Sequence, residues 1–313
     1  MSALLFPGQG SQVVGMGSEI FNNFDLVKKI FNQADEKLGF KISKLILEGP
    51  ENELQLTKNT QPAILTVSYS LFRVLKDEFG FDFKNFKYFA GHSLGEYSAL
   101  VCSEALNFND ALYLLYERGK AMQEAVPIGE GSMIAVLGLK TVEIEELLKI
   151  VIKEKDVCEI ANDNADGQVI LSGKKESINL FQNVLKEKKI KSIPLKVSAP
   201  FHCTLMRPAS EKMKMKIENT NFSNPFLKIV NNVTAKPDNN PENIKKLLID
   251  QIFSTVKWRE SILHMSSEGV KTFIEIGPGK VLTGMIKRTI KDANCFSINT
   301  ITDIKNLENE FKR

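Results

Sequence analysis

The sequence predicts an α/β protein, a mostly parallel sheet flanked by helices and interrupted by a smaller unit of different pattern. Three observations carry this. Short apolar runs that read as buried strands (Ala3 to Phe6, Tyr88 to Ala90, Thr272 to Ile276) alternate with long amphipathic helical stretches, as strands joined by helical crossovers do. Between them, residues 129–198 switch to the order β-α-β-β-α-β of a ferredoxin-like unit. The length of 313 residues has room for one main domain and a smaller one. The expected division is residues 1–128 with 199–313 for the sheet domain and 129–198 for an inserted subdomain, with a cleft between them.

In chain order, Ala3-Leu4-Leu5-Phe6 is the first strand and runs straight into Pro7-Gly8-Gln9-Gly10-Ser11-Gln12. A Gly-x-Gly after a strand invites a dinucleotide-binding reading, but Val13 stands where the third glycine belongs and no suitably spaced acidic residue follows. What remains is a rigid loop with free amides. Residues 18–80 read as mainly helical: Phe24, Val27, Ile30 and Phe31 mark one apolar stripe and Ile64, Val67, Leu71 and Leu75 another, which Asn59-Thr60-Gln61-Pro62 begins. Asn109-Asp110-Ala111 opens the next helix. In the inserted unit, Met133 to Leu137, Val157 to Ala161, Val169 to Leu171 and Ser192 to Val197 are strands, with helices over Val142 to Ile152 and Lys175 to Lys186. A helix through Ile244, Leu247, Leu248 and Ile252 follows, with Gln251 half-buried beside its stripe and read as a satisfied amide. Val281 to Ile286 begins the closing helix.

Composition excludes several classes. Hydrophobic residues at 43% and charged residues at 25% are ordinary for a globular protein. Lys plus Arg (41) against Asp plus Glu (38) leaves +3, too little to indicate nucleic acid binding. The basic runs at 186–191 and 287–291 read as solvated helix faces. Cys102, Cys158, Cys203 and Cys295 form no Cys-x-x-Cys pair, so no metal site is expected, and free thiols fit a reducing cytoplasm. Met1 to Phe6 lacks a basic leader and meets Pro7 early, so it is not read as a signal peptide. No stretch approaches the ~20 apolar residues of a membrane span.

The chemistry centres on Gly91-His92-Ser93-Leu94-Gly95, a Gly-x-Ser-x-Gly pentapeptide between an apolar strand and a helix through Leu94, Tyr97 and Val101. That is the context of a nucleophile elbow, where a serine rides a sharp turn and the helix N-terminus favours a developing oxyanion. The chain has three histidines to serve as base. His92 abuts the serine and would point away from it, and His264 reads as a surface or capping residue late in the helix starting near Trp258. His202, where the last strand of the insertion returns to the cleft, is selected by elimination. An unperturbed imidazole there would titrate near ~6.5. Arg118 shares a helical stripe with Ala111, Leu115 and Met122, while Glu117 lies on another face. A guanidinium on an apolar stripe needs an anion, so Arg118 either pairs with a distant acidic residue or awaits an anionic ligand. Spacing leaves both open.

Five motifs now stand in order over nearly the whole chain. They are Phe6-Pro7-Gly8-Gln9-Gly10-Ser11-Gln12, Gly91-His92-Ser93-Leu94-Gly95-Glu96-Tyr97, Glu117-Arg118-Gly119, Pro200-Phe201-His202 and Glu275-Ile276-Gly277-Pro278-Gly279. Together they resemble the malonyl-CoA:acyl carrier protein transacylase family of type II fatty acid synthesis. The resemblance implies an α/β-hydrolase-like domain with a ferredoxin-like insertion. It implies Ser93 as nucleophile, His202 as base, Gln9 and Leu94 as oxyanion-hole amides, Arg118 on the malonyl carboxylate, and the Gln251 backbone carbonyl orienting the histidine. Phe201 resembles the malonyl-selecting form of its position. The implied reaction is ping-pong through a malonyl-serine, with malonyl-CoA as substrate, acyl carrier protein as partner and no cofactor or metal. A cytoplasmic monomer is expected, without nucleic acid or membrane. A hydrolase on the same elbow would leave Arg118 without a role, and a non-catalytic carrier-binding subunit would have no use for Ser93 and His202.

Overall fold

The computed structural model describes residues 1–195, 197 and 199–311. Among them ten strands form two sheets. In chain order they are β1 (Ser2–Phe6), β2 (Tyr88–Gly91), β3 (Gly131–Leu137), β4 (Cys158–Ala165), β5 (Gln168–Lys174), β6 (Lys191–Pro194), β7 (Lys228–Val230), β8 (Pro237–Asp238), β9 (Thr272–Ile276) and β10 (Asn294–Ile298). The larger sheet runs β10-β9-β1-β2-β7-β8, parallel throughout except for the antiparallel edge strand β8.

A central parallel strand is covered on both faces, which is why β1 is apolar at successive positions. Ala3 and Leu5, with Tyr88 and Ala90, pack against Trp258, Ile262 and Met265 of the helix Trp258–Ser267. Leu4, Phe6 and Phe89 face the other way, into the core built by the helices Asp25–Leu38, Thr57–Arg73 and Phe108–Glu124. The period of two along each strand thus divides the core between the two sheet faces.

The smaller sheet is antiparallel in the order β4-β5-β3-β6. Helices Thr141–Val151 and Lys175–Glu187 join its strands in the expected β-α-β-β-α-β order. Ile134, Val136, Val169 and Leu171 point at these helices, around Ile144, Ile178 and Phe181. Met133, Ala135 and Ile170 point oppositely and join the core of the larger sheet. Asn162 on β4 bridges to Val256, and Asp163 receives three bonds from Arg259 Nε and Nη2 (2.9–3.1 Å), fastening the small sheet to the helix Trp258–Ser267 that packs on the large one.

Several expectations need correction. The last strand of the insertion ends at Pro194, and the rest of the expected Ser192 to Val197 run includes Lys196, which lies outside the described residues. The expected boundary residue Ser198 also lies outside them. The helix assigned a start at Asn59 begins at Thr57 and carries Pro62 as its sixth residue. The helix Val281–Thr289 does not close the chain, because β10 and the helix Ile301–Phe311 follow it. Strands β7 and β8 and the helix Arg207–Glu218 were not anticipated.

Candidate active site

Ser93 sits between β2 and the helix Gly95–Cys102, with left-handed backbone (φ 52°). The turn requires both flanking glycines: an added Cβ would lie 1.9 Å from the Gly95 carbonyl oxygen at Gly91, and 2.2 Å from that of Phe6 at Gly95. Asn232, just past β7, clamps the turn. Its Oδ1 accepts from the Ser93 N–H at 2.7 Å and its Nδ2 donates to the Gly91 carbonyl at 2.8 Å.

His202, also left-handed (φ 57°), places Nε2 2.7 Å from Ser93 Oγ and Nδ1 2.8 Å from the backbone carbonyl of Gln251. A carbonyl only accepts, so Nδ1 carries the proton and Nε2 offers its lone pair to the serine hydroxyl. Burial, and then the nearby positive charge of Arg118, push the His202 imidazole down to about 3, well below the value of a free side chain. It is therefore neutral near pH 7, as a base must be.

Arg118 is 1% exposed. Nη1 donates to Gln61 Oε1 at 2.8 Å, and Nη2 donates to Gln251 Oε1 at 2.8 Å and to Ser93 Oγ at 3.2 Å. Its Nε has no hydrogen-bond partner among the described residues, and none of the ion pairs found among them includes it. Of the two readings left open by the spacing, the structural ion pair does not hold; neutral amide oxygens and the serine hydroxyl accept its hydrogen bonds. Gln251 is 1% exposed rather than half-buried, and its side chain and backbone act in different directions.

Gln9 and Leu94 border the same cavity of about 170 Å³ as Ser93, Arg118, His202 and Phe201. The glycine-rich loop after β1 is held close to the elbow, since a Cβ on Gly8 would lie 2.6 Å from the His92 carbonyl oxygen. His92 turns to Asn164, with Nε2 to Oδ1 at 2.8 Å, and His264 lies elsewhere, half-buried against Tyr88 and near Lys236. Glu275, in the fifth motif, accepts from the N–H groups of Leu282 (3.0 Å) and Thr283 (2.8 Å), capping the helix whose residues Val281, Leu282 and Met285 line the cavity.

Sequence reasoning missed three residues here. Gln61 appeared only as part of a helix start, yet it holds Arg118. Asn232 carries no motif, and its partner Ser93 is 139 residues away. Glu96 lay inside the quoted elbow motif as one charge in an apolar helix, which was the available signal. It is 1% exposed, and its Oε2 accepts from Gln251 Nε2 at 2.8 Å and from Asn232 N at 3.0 Å. No group of three or more His, Cys, Asp or Glu among the described residues is placed to hold a metal, and no helix among them is long and apolar enough to cross a membrane.

The acyl transferase domain model matches residues 3–312. A malonyl CoA-acyl carrier protein transacylase of Bacillus subtilis is 45% identical over 289 residues, covering 91% of this chain and 89% of its own. The solved acyl-carrier-protein-S-malonyltransferase of Bartonella henselae superposes with a TM-score of 0.96 at 40% identity, covering 100% of this chain and 99% of its own. A malonyl-transacylase solved in complex with its type II PKS acyl-carrier protein has a TM-score of 0.94 at 39% identity, covering 98% of this chain and 99% of its own.

Proposed function

The chain belongs to the malonyl CoA-acyl carrier protein transacylase family, and from that premise we propose that it moves a malonyl group from malonyl-CoA to the phosphopantetheine thiol of an acyl carrier protein through a malonyl-Ser93 intermediate. The observation that carries the proposal is the double contact on one atom. Ser93 Oγ is 2.7 Å from His202 Nε2 and 3.2 Å from Arg118 Nη2. In malonyl a single methylene separates the thioester carbonyl from the carboxylate, so a nucleophile and a buried guanidinium this close suit its two ends.

Ser93 attacks the thioester carbonyl as His202 Nε2 takes its proton, and the Gln9 and Leu94 amides receive the oxyanion. Collapse expels coenzyme A, whose sulfur takes the proton from His202. The carrier thiol then enters, gives its proton to His202 and attacks the malonyl ester, and Ser93 recovers its hydrogen as it leaves. The Gln251 carbonyl stands in for the acid of a triad: it holds Nδ1–H in place and faces the imidazolium formed at each step. Arg118 holds the malonyl carboxylate throughout, with the Nη2 donor now on Ser93 and its unpartnered Nε–H, while Gln61 and Gln251 keep the guanidinium in place.

The small sheet has the β4-β5-β3-β6 order of a ferredoxin-like unit, which supports reading 129–198 as an insertion in an α/β-hydrolase-like domain of residues 1–128 and 199–313. A cytoplasmic monomer without a bound cofactor completes this reading. Product analysis tests it. With carrier present, malonyl should appear on the carrier. Free malonate accumulating at the same rate with or without carrier would mean a hydrolase.

A further inference from the structure

Glu96 is a buried carboxylate to which the transfer chemistry assigns no step. It lies one helical turn from the nucleophile and touches two residues that shape the site. One oxygen, Oε2, accepts from Gln251 Nε2 at 2.8 Å and from the Asn232 backbone N–H at 3.0 Å. Gln251 in turn puts Oε1 on Arg118 Nη2 and its backbone carbonyl on His202 Nδ1. Asn232 grips the backbone of Gly91 and Ser93. We propose that Glu96 is a positioning residue whose carboxylate fixes the orientation of the Gln251 amide, and through it the place of Arg118.

A primary amide presents its oxygen or its NH₂ group to a given neighbour according to what surrounds it. The other acceptors near Gln251 Nε2 are the Ser93 carbonyl at 3.1 Å and Asn232 Oδ1 at 3.4 Å, both neutral and longer. The Glu96 bond is the shortest of the three, and ionisation of the carboxyl strengthens it further, so it dominates the choice. Without it, the amide is free to turn its NH₂ toward Arg118, opposing donor to donor. The guanidinium would then lose one of the contacts that aim it at Ser93. The inference rests on the proposed role of Arg118 with malonyl and names what holds that role in place.

The test is kcat/KM for malonyl-CoA and acetyl-CoA on wild type, Glu96→Leu and Glu96→Gln, with melting temperatures. Glu96→Leu removes the acceptor, and the malonyl-to-acetyl ratio should fall by about tenfold or more, the scale of one charged hydrogen bond. Glu96→Gln keeps an acceptor oxygen and should hold the ratio within about threefold of wild type. A purely structural carboxylate would lower both substrates together. An unchanged ratio in Glu96→Leu, or an equal ratio loss in Glu96→Gln, overturns the inference. If Glu96→Leu does not fold, Glu96→Asp draws the acceptor back by one methylene, and a wild-type ratio there overturns it equally. Wild type that fails to load malonyl on Ser93 would instead overturn the transfer reading itself, while wild-type loading with unmoved ratios sinks only the role of Glu96.

Discussion

Ser93 Oγ and His202 Nε2 meet at 2.7 Å, and both residues stand on left-handed backbone, with φ of 52° and 57°. Side chains with a Cβ avoid that region at a cost of roughly 1–3 kcal/mol each. Asn232 holds the first residue through its backbone N–H, and the Gln251 carbonyl holds the ring of the second. The strain thus falls on the pair proposed to react.

The acid limb of malonyl loading should lie far below that of a free histidine. Burial and Arg118 hold the His202 imidazole down to about 3, so titration of the base should leave kcat/KM unchanged as pH falls from 8 to about 5, and protonation of Glu96 in that range should lower it by no more than the roughly threefold allowed to Glu96→Gln. Bound malonyl would neutralise Arg118 and weaken the second-largest of the lowering causes, so the limb in kcat should lie above that in kcat/KM. A kcat/KM limb near 6.5 would contradict this.

Arg118→Ala should lower malonyl kcat/KM by roughly 30- to 5,000-fold, the loss expected for breaking a desolvated charge pair of ~2–5 kcal/mol. Arg118→Lys keeps the charge without the planar fork and should also be impaired. Acetyl transfer should rise relative to malonyl, since acetyl offers the guanidinium no carboxylate. Steady-state kinetics with both thioesters checks this, and an unchanged ratio would refute the carboxylate role.

The two Gly→Ala substitutions that best separate backbone geometry from helix propensity are at Gly95 and Gly284. A Cβ at Gly95 would stand 2.2 Å from the Phe6 carbonyl oxygen, whereas one at Gly284 meets nothing within 4 Å. Gly95→Ala should therefore lower Tm sharply or prevent folding, and Gly284→Ala should be neutral or stabilise by up to ~1 kcal/mol. Thermal denaturation of the two variants is the check; equal effects would mean the elbow is not tight.

Glu96 gives a stability prediction of definite sign. Desolvation raises its carboxyl from 4.5 to about 7, against the bonds from Asn232 and Gln251 and the charge of Arg118; Tyr97 is the other titratable group facing it. The folded state then binds more protons than the unfolded state between 4.5 and about 7, so this group lowers stability as pH rises through that window. At pH 8 the full cost is on the order of 3 kcal/mol. Glu96→Gln removes the titration while leaving His202 in place, so the Tm of the variant minus that of wild type should increase from pH 5 to pH 8. A constant difference would mean that Glu96 does not titrate there.

Much of this site was legible in the sequence because its parts are local. Ser93 announces itself through a pentapeptide whose glycines are forced by contacts under 3 Å, and His202 through the scarcity of histidines. Arg118 stood out as a charge on an apolar stripe, but whether an anion or a protein carboxylate met it depended on side chains from other helices. Gln251 acts on His202 through its backbone carbonyl, which constrains side-chain identity little, while its side chain serves Arg118 and Glu96. Asn232 joins the elbow across the sheet, beyond any local pattern. Strands β7 and β8, of three and two residues, are too short to show a period. Pro62 misled the helix start because proline suits a first turn, yet here it lies inside the helix.

The proposed transfer turns on Ser93 carrying the malonyl group between two thiols. Incubating the protein with malonyl-CoA, then digesting it for peptide mass spectrometry, tests this directly. The expected result is a malonyl adduct on the Ser93 peptide that disappears when holo carrier protein is added, with malonyl then on the carrier, and no adduct in Ser93→Ala. An adduct on that peptide in Ser93→Ala, or transfer to the carrier at the wild-type rate without Ser93, would contradict it.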